Sequence, residues 1–215
     1  MPKVYVFSGL GVDKRVFDGI DFTSSDVEFI DWIKPLKNER INEYASRISQ
    51  KITEKEVILI GLSFGGMMAV EVSKIVKVKK LILIASAKNR KELPKIYRIL
   101  GKSRLNKMIP STLFKWQNSV TNWFFGLKTK KDKTLLRNIL KDTDSRFLRW
   151  AINEIVNWKN TVIPEDCIHI HGNKDRIIPI SNCKVDYVIN GGGHFMTVNC
   201  SDEIERIIKE ECEIR

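Results

Sequence analysis

The chain has 215 residues, 43% of them hydrophobic and 29% charged, which suits one globular domain with a substantial core and excludes global disorder. No apolar run approaches the roughly 18 residues of a membrane span, and Met-Pro-Lys followed by Val4–Phe7 is too short for a signal-peptide core, so the expectation is a cytoplasmic protein. Net charge is +11, but it is unevenly spread: residues 88–160 carry 18 Lys+Arg against 5 Asp+Glu, a net +13, while the remainder stands at −2.

Lys3–Phe7 is β-rich and apolar, and reads as a buried strand ended by Ser8-Gly9-Leu10-Gly11. Val27–Ile30 is a second strand. Ile41, Tyr44, Ala45, Ile48 and Ile52 give residues 38–51 helical spacing. Val57–Ile60 is a third strand, closed by Gly61, and Met67 to Val76 has helical periodicity. Leu81–Ile84, Cys167–Ile170 and Val185–Ile189 complete six strands, and a helix carrying Ile204, Ile207 and Ile208 ends the chain. Apolar strands alternating with helices predict a mainly parallel sheet covered on both faces.

Between the fourth and fifth strands lies the basic segment. A structureless loop of that length does not suit a compact domain. Two stripes predict helices there instead: Leu135, Leu136, Ile139 and Leu140, then Phe147, Leu148, Ala151, Ile152 and Ile155. Lys128–Lys133 reads as an exposed loop. Trp116, Trp123, Trp150 and Trp158 fall in this segment and are expected in its core or along an apolar cleft beneath it. Met67 and Met68 are expected in the core, with the wall of an acyl pocket as the alternative. The expected division is residues 1–87 and 161–215 as core, with 88–160 as a helical lid.

Gly61-Leu62-Ser63-Phe64-Gly65 matches G-x-S-x-G between an apolar strand and a helix, the setting this motif requires. Ser63 then projects from a tight turn beside a helix N-terminus, where developing negative charge is favoured. A serine hydroxyl needs a base. Of three histidines, His194 follows Gly191-Gly192-Gly193 on a loop after the last strand and is the candidate. His169 and His171 share one face of a strand, a structural or supporting position. Asp175, in the turn after the preceding strand, is the candidate for orienting the base. Asp142, Asp144 and Asp186 are weaker alternatives. The main-chain N–H groups of Phe64 and Leu10 are the candidate oxyanion donors.

Phe7–Gly11, Gly61–Gly66, His171-Gly172-x-x-Asp175-x-x-x-Pro179 and Gly193-His194, in that order, resemble the motif blocks of the α/β-hydrolase family over nearly the whole chain. The resemblance implies an α/β-hydrolase fold with an inserted helical cap. It also implies Ser63 as nucleophile, Asp175 as acid and His194 as base, with carboxylic ester hydrolysis through an acyl-enzyme. Two departures are evident. Ser8-Gly9 stands where the family often has His-Gly, and the usual N-terminal hairpin is missing, so six strands are expected rather than the family's eight.

No cofactor or metal is expected. An H-x-H metal set of His169, His171 and Asp175 is the disfavoured alternative, because one strand offers too few ligands. Cys167, Cys183, Cys200 and Cys212 form no C-x-x-C pair and are expected as reduced thiols. The expected partner is a small acyl ester. The basic lid adds a second reading, an ester or thioester on an acidic acyl carrier protein, because the design resembles pimeloyl-acyl carrier protein methyl ester esterases. A non-catalytic ligand- or nucleic-acid-binding protein is the competitor from another class, though no nucleic-acid motif is present.

Overall fold

A computed structural model describes residues 2–22, 26–103, 115 and 117–212. Six strands form one parallel sheet in the order β2-β1-β3-β4-β5-β6. They are β1 (Lys3–Phe7), β2 (Val27–Phe29), β3 (Val57–Leu62), β4 (Val78–Ile84), β5 (Cys167–Gly172) and β6 (Tyr187–Ile189). The chain leaves β1 toward β2 on one side, then returns to place β3 on the other. The C-terminal ends of β1 and β3 therefore flank the switch in winding direction, where open α/β sheets hold ligands.

The pleat divides the core. Val4, Val6, Ile58, Ile60, Ile82 and Ile84 pack on one face. Tyr5, Phe7, Leu59, Leu81 and Leu83 pack on the other. The first face is covered by helix α8 (Ser201–Cys212) through Ile204, Ile207 and Ile208, and by a 3-10 turn at Lys14–Phe17. The second is covered by α1 (Ile41–Ile48) and α2 (Phe64–Val72). Every residue of α2 is buried, and its one charged residue, Glu71, is paired with Lys74 at 2.8 Å.

Among the described residues, four helices follow β4 within the basic segment: α3 (Lys95–Ser103), α4 (Ser119–Phe125), α5 (Lys130–Asp142) and α6 (Ser145–Val156). A short helix, α7 (Met196–Asn199), precedes α8. Leu136, Ile139 and Leu140 of α5 join the first core cluster, and Phe147 and Ala151 of α6 join the second. No helix among the described residues is long and apolar enough to cross a membrane.

Several boundaries differ from the sequence expectation. Lys128–Lys133 is not a loop, because α5 begins at Lys130. The last strand is shorter than Val185–Ile189. Asp186 lies before it, and its carboxylate accepts the His169 N–H at 2.8 Å. The tryptophans diverge: Trp158 is buried and donates to Glu71 Oε1 at 2.8 Å, Trp150 packs on Tyr44, and Trp123 is 55% exposed. Trp116 lies outside the described residues.

Candidate active site

β3 ends at Leu62, and Ser63 follows with φ 52° and ψ −119°. Left-handed backbone at a non-glycine residue costs on the order of 1–3 kcal/mol and persists only where the surroundings enforce it. Here they do. Ser63 N–H donates to Ile84 O at 2.9 Å, and its carbonyl accepts from Ser86 Oγ at 2.6 Å and Gly66 N–H at 3.0 Å. Two close approaches complete the turn. A Cβ at Gly65 would overlap the carbonyls of Phe7 and Ser8, and one at Gly61 would overlap the main chain of Gly66. These glycines let α2 rise directly against β1 and β3.

Asp175 sits in the turn after β5, its N–H donating to Gly172 O at 3.2 Å. One carboxylate oxygen, Oδ1, accepts the N–H groups of Ile177 and Ile178 at 2.8 and 2.9 Å. The other, Oδ2, lies 2.7 Å from His194 Nδ1. Burial alone would raise the pKa of this enclosed carboxyl. The facing His194 with its hydrogen bond, the His171 ring nearby and the Ile178 N–H outweigh burial and hold it well below the usual carboxylate range. An ionised Asp175 only accepts, so His194 Nδ1 carries the proton. His194 Nε2 is then bare, and it lies 2.8 Å from Ser63 Oγ. Three residues distant in sequence thus form one continuous hydrogen-bonded line.

The inserted helices also fasten the His194 loop. Phe195 N–H donates to Phe125 O at 3.1 Å, and Asn199 Nδ2 donates to Gly126 O at 3.2 Å. The Phe125 ring lies edge-on to the His194 ring, with centroids 5.8 Å apart.

Ser63 and His194 open into a cavity of about 320 Å³. Its walls are almost wholly apolar: Met67 below, Leu93, Leu100 and Phe125 from the inserted segment, and Ile152 and Ile155 of α6. Leu10 and Phe64 line the same cavity. Phe64 opens α2, so its N–H is among those with no partner inside the helix. The loop after β1 reaches Ser63, since a Cβ at Gly9 would lie 3.4 Å from Ser63 Cβ. Ser8 braces that loop, its hydroxyl donating to Val12 O at 2.9 Å.

The weaker acid candidates are engaged elsewhere. Asp142 pairs with Arg15 at 2.9 Å, and Asp144 caps α6. The metal-type set differs from the disfavoured H-x-H alternative. His169, His171 and Cys183 have donor atoms within 4.8 Å of one another, whereas Asp175 faces His194. Both ring nitrogens of His171 are already taken, by His169 at 3.0 Å and Ile178 O at 2.8 Å. Two contributors escaped the sequence reading. Ser86 carries no motif, and its one signal is its place just past a strand beside the elbow strand. Tyr97, which lines the cavity and donates to Ile177 O at 2.9 Å, is part of an ordinary helical stripe.

No protein-family model matches the sequence, and no curated protein matches it. Solved structures do. A bromoperoxidase from Bacillus anthracis superposes with TM-score 0.70 at 13% identity, over 100% of this chain and 93% of its own. MenH from S. aureus gives TM-score 0.68 at 18% identity, over 98% and 95%. An esterase from Exiguobacterium antarcticum gives 0.66 at 17% identity, over 98% and 91%. At such identities the likeness establishes the architecture, and that architecture is the α/β-hydrolase fold.

Proposed function

We propose that this α/β-hydrolase-fold chain is a serine hydrolase that cleaves carboxylic esters. One observation carries the reading: Ser63 Oγ lies 2.8 Å from His194 Nε2, and His194 Nδ1 lies 2.7 Å from the buried Asp175 carboxylate, at the floor of an apolar cavity. In this mechanism Ser63 Oγ attacks the ester carbonyl carbon while His194 Nε2 takes its proton. The Phe64 and Leu10 N–H groups hold the resulting oxyanion; one such donor is typically worth about 3–4 kcal/mol. Asp175 keeps the imidazole in the required tautomer and stabilises the imidazolium without being protonated itself. The carbon–oxygen bond to the alcohol then breaks, and His194 returns the proton to the departing oxygen. Water, deprotonated by His194, attacks the acyl-Ser63 ester and frees the acid.

The cavity supports an apolar acyl chain, because it offers no charged partner to a substrate group lodged deep within it. Residues 88–160 serve as the lid in this reading, supplying part of the cavity wall around Ser63. The test is labelling with a fluorophosphonate, followed by turnover of p-nitrophenyl esters of increasing acyl length, with a thioester and a lactone in parallel. Ser63→Ala should abolish both labelling and turnover. Retention of more than about a tenth of the rate refutes the assignment, given that triad serines contribute orders of magnitude more.

A second reading keeps the chemistry and changes the substrate's carrier. The net +13 of residues 88–160 supports attraction of an acidic acyl carrier protein that delivers the acyl ester. Hydrolysis of a carrier-linked ester should then exceed that of the free ester and fall with salt. Equal rates and no salt dependence discard the carrier.

A further inference from the structure

Two fully buried imidazoles have no part in the chemistry above. His169 and His171 lie on the same face of β5, their rings edge to face with centroids 5.0 Å apart. The hydrogen bonds dictate their tautomers. His171 Nε2 is 2.8 Å from the carbonyl of Ile178, which can only accept, so Nε2 carries the proton. The same Nε2 is 3.4 Å from Asp175 Oδ2, the oxygen that receives His194 Nδ1–H. A neutral His171 then has a bare Nδ1, and His169 Nε2, 3.0 Å away, donates into it. His169 Nδ1 is buried without a hydrogen-bond partner. Burial and the neighbouring His171 push the pKa of His169 down to about 3, so it stays neutral near neutral pH and keeps its Nε2–H for His171.

This arrangement bears on how the acid is held. Two main-chain N–H groups pin Asp175 Oδ1. The carboxylate is planar, so the same two donors also set the direction of Oδ2, and its aim at His194 depends on where the turn holds Ile177 and Ile178. We propose that His171, oriented by His169, is a positioning residue that holds the Ile178 main chain, and through it the Asp175 carboxylate, opposite His194 Nδ1. The inference rests on the reading of Ser63, Asp175 and His194 as a catalytic triad. Other polar groups surround the pair. Cys183 is within metal-ligand range of both rings, Glu92 accepts the Lys88 N–H at 2.6 Å, and Lys88 Nζ is 3.4 Å from Asp186. None of these is hydrogen-bonded to Asp175 among the described contacts, which leaves His171 as the side chain, besides His194, that meets the carboxylate.

The experiment compares His171→Leu with His171→Gln, whose amide offers a neutral donor near the position of Nε2. Turnover is expressed per phosphonate-labelled Ser63, so loss of folded protein does not count as loss of activity. In His171→Leu, kcat should fall about tenfold or more with KM unchanged, as expected when a reacting group is misplaced. The acid limb of kcat/KM should move to lower pH, because a carboxylate that drifts from His194 Nδ1 stabilises the imidazolium less. His171→Gln should recover most of the rate and the wild-type profile. His169→Leu, which removes the donor to His171 Nδ1, should lower kcat in the same direction and by less. If His171→Leu does not fold, the His169→Leu result decides. Wild-type kcat per labelled site with an unmoved profile in the Leu variant that folds overturns the inference, whatever happens to Tm. A wild-type enzyme that takes no phosphonate at Ser63 overturns the parent reading, and this one with it.

Discussion

The C-terminal edge of the sheet and the helices of residues 88–160 meet at one cavity but are specified in different ways. The edge is specified by main chain. Ser63 sits at φ 52° and Ala85 at φ 47°, and α2 starts where two glycines let backbone touch backbone. The inserted helices are specified by side-chain periodicity, through stripes that lock into both core clusters. Their charge is sorted as well. Eighteen of the chain's basic residues lie in this segment, yet no Lys or Arg lines the cavity among the described residues. In the proposed enzyme the edge performs the reaction, and the helices give the acyl cavity its shape while turning their charge outward.

If that division is right, the largest losses come from the edge. Asp175→Asn should keep the fold and lower kcat by about four orders of magnitude, because an amide in this position favours the wrong His194 tautomer. Ester turnover per labelled site, with circular dichroism to confirm folding, measures it. A loss below about tenfold would move the acid's role elsewhere. Gly65→Ala should act through structure. Its methyl has only the carbonyls of Phe7 and Ser8 to displace, and main chain gives little, so a destabilisation of about 3 kcal/mol is expected along with loss of labelling. Wild-type stability in that variant would mean the elbow is looser than its contacts imply.

The next effect is a pH dependence of stability. His169 has its pKa lowered to about 3, chiefly by burial, against about 6.5 for an unfolded histidine. Between these values the unfolded chain binds a proton that the folded chain refuses. The contribution is therefore fully present above the unfolded value and is lost as pH falls toward the folded one. Asp175, also depressed, is lost on the same rule, but only below the ordinary carboxylate range. Thermal unfolding between about pH 7 and about pH 4 thus samples His169 with little contribution from Asp175. Tm should fall across this range, and less steeply in His169→Gln. Equal slopes would remove His169 as the cause.

The same division decides what the sequence made legible. The central strands are largely buried apolar runs and stand out, and G-x-S-x-G and H-G-x-x-D announce turns that backbone geometry demands. What blurs is where polar residues serve the core. β5 runs on past Ile170 through His171 to Gly172, because its histidines bond to each other and to Ile178 instead of to water. β4 begins early, at Val78, because Lys80 is neutralised by Glu211 at 2.6 Å. The link from His171 to Asp175 has no sequence signature, since a strand residue and a turn residue four positions on meet only once the turn has its three-dimensional course.

The smallest effect tests the inserted helices where the charge pattern misleads. Lys128, Lys130, Lys131 and Lys133 look like a solvated loop, yet Thr129 and Asp132 form a reciprocal cap. Thr129 Oγ1 accepts the Asp132 N–H at 3.1 Å, and Asp132 Oδ2 accepts the N–H groups of Lys128 and Thr129 at 3.0 Å each. Three main-chain donors at the start of α5 are satisfied by two side chains, which is enough to begin a helix inside a run of lysines. Thr129→Ala leaves one donor without its acceptor and should cost about 1 kcal/mol. For a chain of this length that lowers Tm by about 2–4 °C. Turnover of a short-chain ester per labelled Ser63 should not change, because α5 anchors to the sheet through Leu136, Ile139 and Leu140 and none of these lines the cavity. A fall in kcat with so small a fall in Tm would mean that the helices hold the catalytic edge in register as well as roofing it.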